Sequence, residues 1–286
     1  MAQQKSVSES LEEYVVPCKN GHGKKLHIPE GKYRGWVPRV LYTMDNIHEL
    51  RLPFLRLLSF PVGGTALGPL ATNLTVFEAV GNHLTKLPNS FSNCDSLIHL
   101  DLSFNYFSEI PLAVLKLANL KHLNMEHNDI IKVDPRIGHL KSLENLNLNG
   151  NMLSSLPNEL SKCKKLKELR LAGKFHPRGG LKQFPECICE LRDLVILNLS
   201  WQKINNIPDS FGKLRNLEEL SLKWNHLQKV SPEIVKCQSL TTIDLSGALR
   251  FLSYIPQPLF QLEDLKVSNL LKIILTFIIT LLWWPK

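Results

Sequence analysis

The sequence predicts an α/β solenoid, in which short strands alternate with short helical turns along most of the chain. Residues 97–105 have the pattern Leu-x-x-Leu-x-Leu-x-x-Asn, and the pattern returns at residues 120–128, 143–151 and 217–225. The regular copies follow one another at intervals of 23 residues. A fixed period of this size is typical of repeat proteins, which grow by stacking similar units and not by enlarging one core.

Each repeat begins with apolar residues that alternate with polar ones, as Leu146 and Leu148 do. A period of two over a short run predicts a strand with one side buried. An asparagine then follows at the ninth position of several repeats, for example Asn105 and Asn151. Because an amide group both donates and accepts hydrogen bonds, we expect these asparagines to satisfy backbone groups where the strands end.

The second half of each repeat predicts a short helical turn. An apolar residue and a proline, such as Ile207 and Pro208, precede apolar residues three apart, such as Phe211 and Leu214. Proline suits the start of a helical turn, and the spacing of three fits one short helix or 3₁₀ turn that faces inward.

The pattern divides the chain into four segments. Residues 1–23 are polar and are predicted to be a disordered tail, and residues 24–46 are predicted to be a divergent capping repeat. Residues 47–264 hold nine repeats, and residues 265–286 begin another repeat that fails and continues as an apolar tail. The nine repeats begin at Ile47, Leu74, Leu97, Leu120, Leu143, Leu166, Leu194, Leu217 and Leu240.

This pattern resembles the leucine-rich repeat family, and more narrowly its 23-residue intracellular type, found in Ras-pathway scaffolds, Scribble-type polarity scaffolds and plant Ras-group-related proteins. The resemblance covers residues 47–264. It implies a curved horseshoe whose concave face is a parallel β-sheet and whose convex side carries short helical or 3₁₀ turns. It also implies protein binding through the concave face, although one fold hosts many functions.

Composition and the cysteines point to a reducing compartment. The chain has 286 residues and a formal net charge of +8, and its first residues contain no apolar segment typical of a secretory signal. We therefore expect a cytoplasmic protein whose six cysteines are free thiols. Cys94, Cys163 and Cys237 occupy positions that hold leucine in other repeats, which predicts small buried side chains.

The sequence does not favour an enzyme, a cofactor, a metal site or nucleic-acid binding. It has no phosphate-binding loop, no His-Glu-x-x-His and no Gly-x-Ser-x-Gly. Cys18 and His22 are only two potential ligands, and His99 with His122 needs at least one more. The basic residues form a patch without interleaved aromatics, which does not fit a nucleic-acid groove.

The apolar tail from Leu270 to Trp284 has three interpretations. Its uncharged part begins at Ile273 and would span about 18 Å as a helix, which is shorter than the ~30 Å hydrocarbon core of a membrane. The tail is therefore an alternative or truncated end, a membrane anchor with interfacial tryptophans, or an apolar cap.

The residues between the leucines are the candidates for partner binding, because they face outward in neighbouring strands about 4.8 Å apart. Trp201 and Trp224 occupy the eighth position of adjacent repeats, where we expect them to be partly exposed. Adjacent exposed tryptophans favour a binding patch, but they also fit a simpler interpretation in which they only pack on each other. The full set of candidates is Phe104, His99, His122, Asp101, Arg170, Lys174, Arg178, Trp201 and Trp224.

Charge and insertions refine this surface. Acidic residues including Glu78 and Asp101 mark the early repeats, whereas Lys167, Arg170 and Lys174 make the middle basic, which could orient a partner of mixed charge or serve solubility alone. Longer repeats begin at Ile47, Leu166 and Leu240, and insertions of this kind map to loops on one edge of a solenoid.

The sequence thus predicts an intracellular adaptor or scaffold that binds an unidentified protein partner. Two alternatives stay open: a regulatory subunit of a signalling enzyme, such as a small GTPase or phosphatase pathway component, and a repeat protein anchored in a membrane by its tail.

Overall fold

The computed structural model describes residues 11–18, 23–33, 35, 41, 44–60, 67, 69–174, 179–248 and 257–262. The chain divides into two compact units, an N-terminal unit, Met1–Asp129, and a C-terminal unit, Ile130–Lys286. The predicted tail from residue 265 onward and the insertions at residues 61–66, 175–178 and 249–256 lie outside the described residues.

The N-terminal unit contains one sheet whose strand order follows the chain. β1 pairs antiparallel with β2, and β2 to β6 then pair in parallel, each with the next. The strands are β1 Val15–Pro17, β2 Lys24–His27, β3 Ile47–Arg51, β4 Val76–Glu78, β5 His99–Asp101 and β6 His122–Asn124. The helical segments are the α-helix α1 Pro69–Asn73 and the 3₁₀ helices Asn89–Asn93 and Val114–Lys116.

The C-terminal unit repeats the same arrangement. Five of its strands, β7, β8, β9, β11 and β13, form a parallel ladder, and β10 pairs with β12 in a separate two-stranded ladder. The strands are β7 Asn145–Asn147, β8 Glu168–Arg170, β9 Ile196–Asn198, β10 Asn206–Ile207, β11 Glu219–Ser221, β12 Lys229–Val230 and β13 Thr242–Asp244. The 3₁₀ helices are Pro135–His139, Asn158–Lys162, Glu186–Glu190, Asp209–Lys213, Pro232–Lys236 and Gln257–Gln261.

The leucine pattern explains the strands. In β5 the middle residue, Leu100, is fully buried, while His99 and Asp101 on either side are half-buried, and the same alternation recurs in the other repeats. Leucines at the first and sixth positions, such as Leu97 and Leu102, are also fully buried. Every repeat therefore places one apolar side in the core, and the predicted α/β repeat architecture is confirmed.

The buried asparagines bond the backbone as expected. The Oδ1 atom of Asn105 accepts from the backbone N–H of Leu84, 2.9 Å away, in the preceding repeat. Its Nδ2 group donates to the carbonyl oxygens of Ala79 at 2.9 Å and Leu102 at 3.0 Å. The side chain thus joins two successive repeats, and Asn82, Asn128 and Asn225 bond in the same way.

The helical turns are short 3₁₀ helices. Pro88 and Pro208 lie at their N-caps with extended backbone, one residue before the helix and not at its first residue. Proline occupies the first helical residue only after a different cap, as in Pro232, where the Ser231 hydroxyl accepts from the backbone N–H of Glu233.

The disorder predicted for the N-terminal tail does not hold for residues 11–18. The sequence predicts that residues 1–23 are disordered, but Leu11 is buried and β1 pairs with β2 inside that segment. The cause is a strand too short and too polar to show an apolar period, since only Val15 and Val16 mark it. β2 in turn lies parallel to β3 with Leu26 beside Leu50, as in the regular repeats.

Candidate functional site

The eighth position of every repeat except the one that begins at Leu166 adopts an unusual backbone conformation. Five non-glycine residues there have positive φ angles between 51° and 57°: Phe54, Phe104, His127, Trp201 and Trp224. Glycines at the same position, Gly81, Gly150 and Gly247, have φ of 67–69°. A bulky side chain in this left-handed region costs about 1–2 kcal/mol relative to an ordinary conformation, so glycine is the expected residue and an aromatic one is the exception.

Backbone hydrogen bonds hold this turn in place. The N–H group of Trp201 donates to the carbonyl oxygen of Lys223 at 2.7 Å, and that of Trp224 donates to Ser246 at 2.8 Å. The N–H of Phe104 likewise donates to Glu126 at 2.8 Å. Each bond reaches the following repeat, so the ladder of parallel strands fixes the direction in which the eighth side chain leaves the backbone.

Four of the five aromatic side chains at this position stack in pairs, one pair in each unit. The rings of Trp201 and Trp224 have centroids 5.2 Å apart and planes inclined by 23°. Those of Phe104 and His127 are 4.6 Å apart and inclined by 22°. The predicted mutual packing of the tryptophans is therefore present, yet Trp201 remains 43% exposed and Trp224 39%.

The rings lean toward the following repeat. A Cβ atom added to Gly81 would lie 2.2 Å from the ring of Phe54, and one added to Gly247 would lie 2.6 Å from the ring of Trp224. The glycines therefore leave room for the preceding ring. We call the eighth-position residues of each unit its eighth-position column.

The histidine pair of the N-terminal unit forms a polar cluster. The rings of His99 and His122 have centroids 5.8 Å apart, and the Nε2 atom of His99 lies 3.8 Å from the carboxylate of Glu78. Burial lowers the pKa of His99 below its ordinary value, although Glu78 and Asp101 oppose that shift. Among the described residues, no three or more His, Cys, Asp or Glu side chains are grouped to hold a metal ion.

Asp101 has a local structural role. Its Oδ1 atom accepts hydrogen bonds from the backbone N–H of Ser103 at 2.9 Å and the Ser103 hydroxyl at 2.6 Å. Its Oδ2 atom accepts from the Nδ2 group of Asn124 at 2.9 Å. Because three donors already occupy the carboxylate, Asp101 positions the end of β5 more than it offers a free charge.

The acidic residues of the early repeats are also paired. Arg51 donates to Glu78 at 3.0 Å, and Lys25 forms an ion pair with Glu49. The acidic character predicted for this part of the surface is therefore partly neutralised by neighbouring cations.

The basic candidates lie in the C-terminal unit. The guanidinium group of Arg170 donates to Glu168 at 3.2 Å, and Arg170 lies beside Asn198 in the strand register. Lys174 is exposed, and its backbone N–H donates to Asn151. Arg178 lies outside the described residues. The C-terminal unit thus holds Trp201, Trp224, Arg170 and Lys174, and the N-terminal unit holds Phe104, His99, His122 and Asp101.

A hydroxyl network beside the tryptophans was missed by the sequence reasoning. The Ser200 hydroxyl donates to Asn198 at 2.7 Å and lies 2.7 Å from the Ser221 hydroxyl. Asn198 also accepts from the backbone N–H of Ser200 at 3.0 Å. The sequence contains a sign of this network, because asparagine or aspartate recurs at the fifth position of the repeats, two residues before the turn that holds the eighth position.

The cysteines are free and buried. Burial raises the pKa of Cys94 and Cys237 to about 12 and that of Cys163 to about 11. A thiol with so high a pKa carries almost no thiolate at neutral pH, so these side chains fill the core and are poor nucleophiles.

The positive φ at the eighth position gives a test that separates backbone strain from packing. Trp201→Ala and Trp201→Gly both remove the ring, but only glycine relieves the strain. We expect Trp201→Gly to be more stable than Trp201→Ala by about 1 kcal/mol in equilibrium urea unfolding. Ala172→Gly, one residue before Gly173, is the control, because it removes a methyl group from a residue without a positive φ. An alanine variant as stable as the glycine variant would contradict the strained geometry.

Comparison with known proteins agrees with this geometry. Residues 72–194 match the model of a leucine-rich repeat region. The structure is similar to that of a leucine-rich repeat protein of Leptospira interrogans, with a TM-score of 0.68 and 28% sequence identity over 82% of this chain. The chain has the leucine-rich repeat fold, and residues 72–194 match the family itself. A search of curated protein sequences found no match.

Other leucine-rich repeat structures show the same fold. The Arabidopsis receptor kinase HAESA, determined in complex with the peptide hormone IDA and a co-receptor, has a TM-score of 0.63 and 25% identity over 88% of this chain. An internalin of Listeria monocytogenes has a TM-score of 0.63 and 21% identity over 81% of this chain. The chain spans 63% of the Leptospira protein and 39% of the HAESA chain.

Leucine-rich repeats are protein-interaction modules, and this fold supports that general role here. The helices of the described residues include none that is long and apolar enough to cross a membrane.

Proposed function

We propose that this leucine-rich repeat protein is a non-enzymatic adaptor that binds a protein partner on the open face of its sheet, with the Trp201–Trp224 stack as the main contact. The supporting observation is that two large aromatic side chains are exposed at positions where the backbone favours glycine. A folded chain gains more stability from glycine at such positions, so an aromatic residue there suggests a role outside the fold.

The geometry of the stack suits a binding hot spot. Tryptophan is enriched among residues that dominate interface energies, because it offers a large rigid surface. The two rings already pack on each other, so little side-chain freedom remains to be lost on binding. Phe104 and His127 offer a second, smaller stack in the N-terminal unit.

The similar structures support a protein or peptide as partner. HAESA, which is similar to this chain in fold, was determined with a peptide hormone. We propose a protein or peptide partner for the present chain as well, because β8, β9 and β11 carry half-buried polar side chains on one face of the sheet. These are Glu168, Arg170, Asn198 and Ser221.

The proposal places the adaptor in the cytoplasm. The free thiols and the 23-residue repeat support a reducing compartment and the scaffold type of repeat named above. Fractionation of cells that express the full chain tests this placement, and recovery in a secreted fraction would contradict it.

Partner capture tests the stack. Trp201 and Trp224 are replaced together by alanine in the full chain, and bound proteins are identified by affinity purification and mass spectrometry. We expect recovery of specific partners to fall at least about tenfold, because truncating a hot-spot residue costs about 2 kcal/mol or more.

The matched control is Ile131→Ala, which removes another exposed apolar side chain of the C-terminal unit, 48% accessible, away from the stack. We expect this variant to retain its partners. An unchanged partner profile for the double tryptophan variant, with unchanged folding, would remove the stack as the binding site. A catalytic subunit among the partners would favour the regulatory-subunit alternative over passive scaffolding.

The apolar run from Leu270 to Trp284 supports a second candidate, a repeat protein tethered to a membrane. Carbonate-resistant pelleting that is lost on deletion of this run would establish it. A full chain that stays in the supernatant would remove it.

A further inference from the structure

The turns that lead into the strands of the C-terminal unit lie along one edge of its sheet. Each turn connects the end of a 3₁₀ helix to the next strand, and β7, β8, β9, β11 and β13 run parallel. Parallel strands begin at the same edge, and the eighth position comes after each strand, so the Trp201–Trp224 stack lies at the other edge. The turns, each with the last residue of its helix, are residues 139–144, 162–167, 190–195, 213–218 and 236–241.

Cations outnumber carboxylates in these five turns, which we call the basic edge. The lysine and arginine side chains are all exposed, and they are Lys141, Lys162, Lys164, Lys165, Lys167, Arg192, Lys213, Arg215 and Lys236. The carboxylates are Glu144, Glu190, Asp193 and Glu218. The cations are densest in the turn before β8, at residues 162–167, which holds lysines and no carboxylate.

Most of these cations have no carboxylate partner. Lys167 pairs with Glu144 at 3.0 Å, Lys213 pairs with Glu190, and Lys236 pairs with a glutamate of its own helix. Within the part of the chain that the structure describes, the other cations form no ion pair, and these are Lys141, Lys162, Lys164, Lys165, Arg192 and Arg215. The basic edge therefore keeps an excess of positive charge that the fold does not neutralise.

Several cations lie around the single carboxylate of Glu190. The Lys213 ammonium group donates to that carboxylate, and the Nζ atom of Lys164 donates to the Glu190 backbone oxygen at 2.9 Å. The pKa of Glu190 is lowered, first by the hydrogen bond from Lys213 and also by the charges of Lys164 and Arg192. Lys164 thus spans two turns of the edge while its charge remains without a carboxylate.

The basic edge lacks the features that a specific protein or nucleic-acid contact uses. None of the large apolar side chains that are exposed in the described residues lies in it. A protein hot spot usually has an aromatic anchor, and a groove for single-stranded nucleic acid has aromatic rings on which the bases stack. A bilayer that contains anionic lipids needs neither, because its surface potential attracts each nearby lysine or arginine.

The sequence beyond the described residues also favours a membrane. The uncharged run from Ile273 to Trp284 is too short to span a bilayer as a helix, but it ends in tryptophans of the kind found at membrane interfaces. Apolar and basic signals commonly act together at membranes, because one weak signal alone gives only reversible attachment.

We propose that the basic edge binds an anionic lipid surface, and that the lipid headgroups contact Lys141, Lys162, Lys164, Lys165, Arg192 and Arg215. The edge with the Trp201–Trp224 stack then stays accessible to a protein partner. The inference goes beyond the proposed adaptor function, because it assigns a second surface with a different ligand, and it does not depend on the identity of the partner.

Co-sedimentation of the full chain with vesicles tests the proposal. One set of vesicles is phosphatidylcholine alone, and the other contains phosphatidylserine as well. Binding to the neutral vesicles measures any apolar contact, so the difference between the two sets measures the charges. At about 0.1 M salt we expect at least about hundredfold tighter binding to the anionic vesicles, and this advantage should shrink at about 0.5 M salt, where charges are screened over shorter distances.

The decisive variant combines Lys162→Gln, Lys165→Gln and Arg192→Gln. These changes remove three charges that have no carboxylate partner, and all three side chains are exposed. Because each cation near an anionic bilayer strengthens binding about fivefold, we expect the variant to bind anionic vesicles at least about thirtyfold more weakly than the wild type. Binding to neutral vesicles should not change.

The matched control combines Lys132→Gln, Lys182→Gln and Lys229→Gln. These lysines are also exposed and belong to the same unit, but they follow the strands and lie outside the basic edge. The control has the same net charge as the decisive variant, and we expect it to bind within about twofold of the wild type because the lost charges lie away from the lipid. Circular dichroism spectra that match the wild type confirm that both variants fold.

Three results would overturn the proposal. Equal binding of the wild type to neutral and anionic vesicles would assign attachment to apolar contact alone. Equal losses in the two triple variants would show that only the net charge matters. Tighter binding to a hexaglutamate peptide or a short DNA duplex than to anionic vesicles, at equal concentrations of negative charge, would assign the edge to a soluble acidic partner.

Discussion

Replacing Leu146 with aspartate should unfold its repeat and loosen the next one. Leu146 is 1% exposed at the centre of β7, and it lies beside Leu169 of β8 in the strand register. Removal of a buried leucine costs about 2–5 kcal/mol, and a carboxylate in the same apolar place adds a further penalty. The sum is comparable to the whole stability of many domains, so we expect loss of structure and not a small shift.

Hydrogen exchange measured by mass spectrometry is the suitable readout, because repeat proteins often unfold in parts and a single unfolding free energy is then undefined. We expect peptides that contain β7 and β8 to exchange at least about a hundredfold faster in Leu146→Asp than in the wild type. Unchanged protection around Leu169 would show that the repeats do not depend on their neighbours.

The control for this experiment is Asn147→Asp, on the next residue of the same strand. From the sequence alone, any replacement of Asn147 is expected to be harmless, because its side chain points outward. The structure favours aspartate over other replacements, because the Oδ1 atom of Asn147 accepts a hydrogen bond from the backbone N–H of Asn149 at 3.0 Å. Aspartate keeps this acceptor, so exchange in Asn147→Asp should stay close to that of the wild type.

Replacing Asn105 with alanine should have the second-largest effect. Asn105 is 4% exposed, and its amide group bonds to Leu84, Ala79 and Leu102. Alanine would leave the backbone N–H of Leu84 without a partner in a buried place. It would also remove one of the bonds accepted by the carbonyl oxygens of Ala79 and Leu102, which keep their bonds to Asn82 and Asn128. Because an unsatisfied buried group costs about 1–3 kcal/mol and each lost bond about 1 kcal/mol more, we expect the N-terminal unit to lose about 3 kcal/mol or more of stability.

The matched control is Asn119→Ala. The Nδ2 group of Asn119 donates to the backbone oxygen of Asp95 at 2.9 Å, but this bond is exposed to water. Its loss should cost no more than about 1 kcal/mol, because water can replace it. Urea unfolding of both variants, followed by circular dichroism, compares the two. Equal losses of stability in the two variants would show that burial does not determine how much an asparagine hydrogen bond contributes to the stability of the fold.

The sequence predicts the repeating features well because they depend on local patterns. Leucine spacing identifies each strand to within a residue or two, since a period of two with one buried side leaves a single register. The bonding of Asn105 and the burial of Cys94 follow from their places in the repeat. These features recur, so each repeat supports the interpretation of the others.

The sequence predicts isolated or geometric features poorly. The strand β1 occurs once and is short, so no repetition revealed it. The positive φ at the eighth position is indicated only by the exchange of glycine with aromatic residues, as between Gly81 and Phe104. The direction of the rings depends on the turn geometry, so it could be recognised only in the structure.

The spacing of the eighth-position column limits how many side chains of a bound peptide can contact it. Adjacent positions follow the separation of strands, about 4.8 Å, whereas side chains on one side of an extended peptide recur about every 6.7 Å. The two intervals do not match, so a straight peptide that crosses the strands can place only one side chain against a given stack. Selectivity at each stack must then come from the side chains around it in its own unit, and not from a regular series of contacts along the peptide.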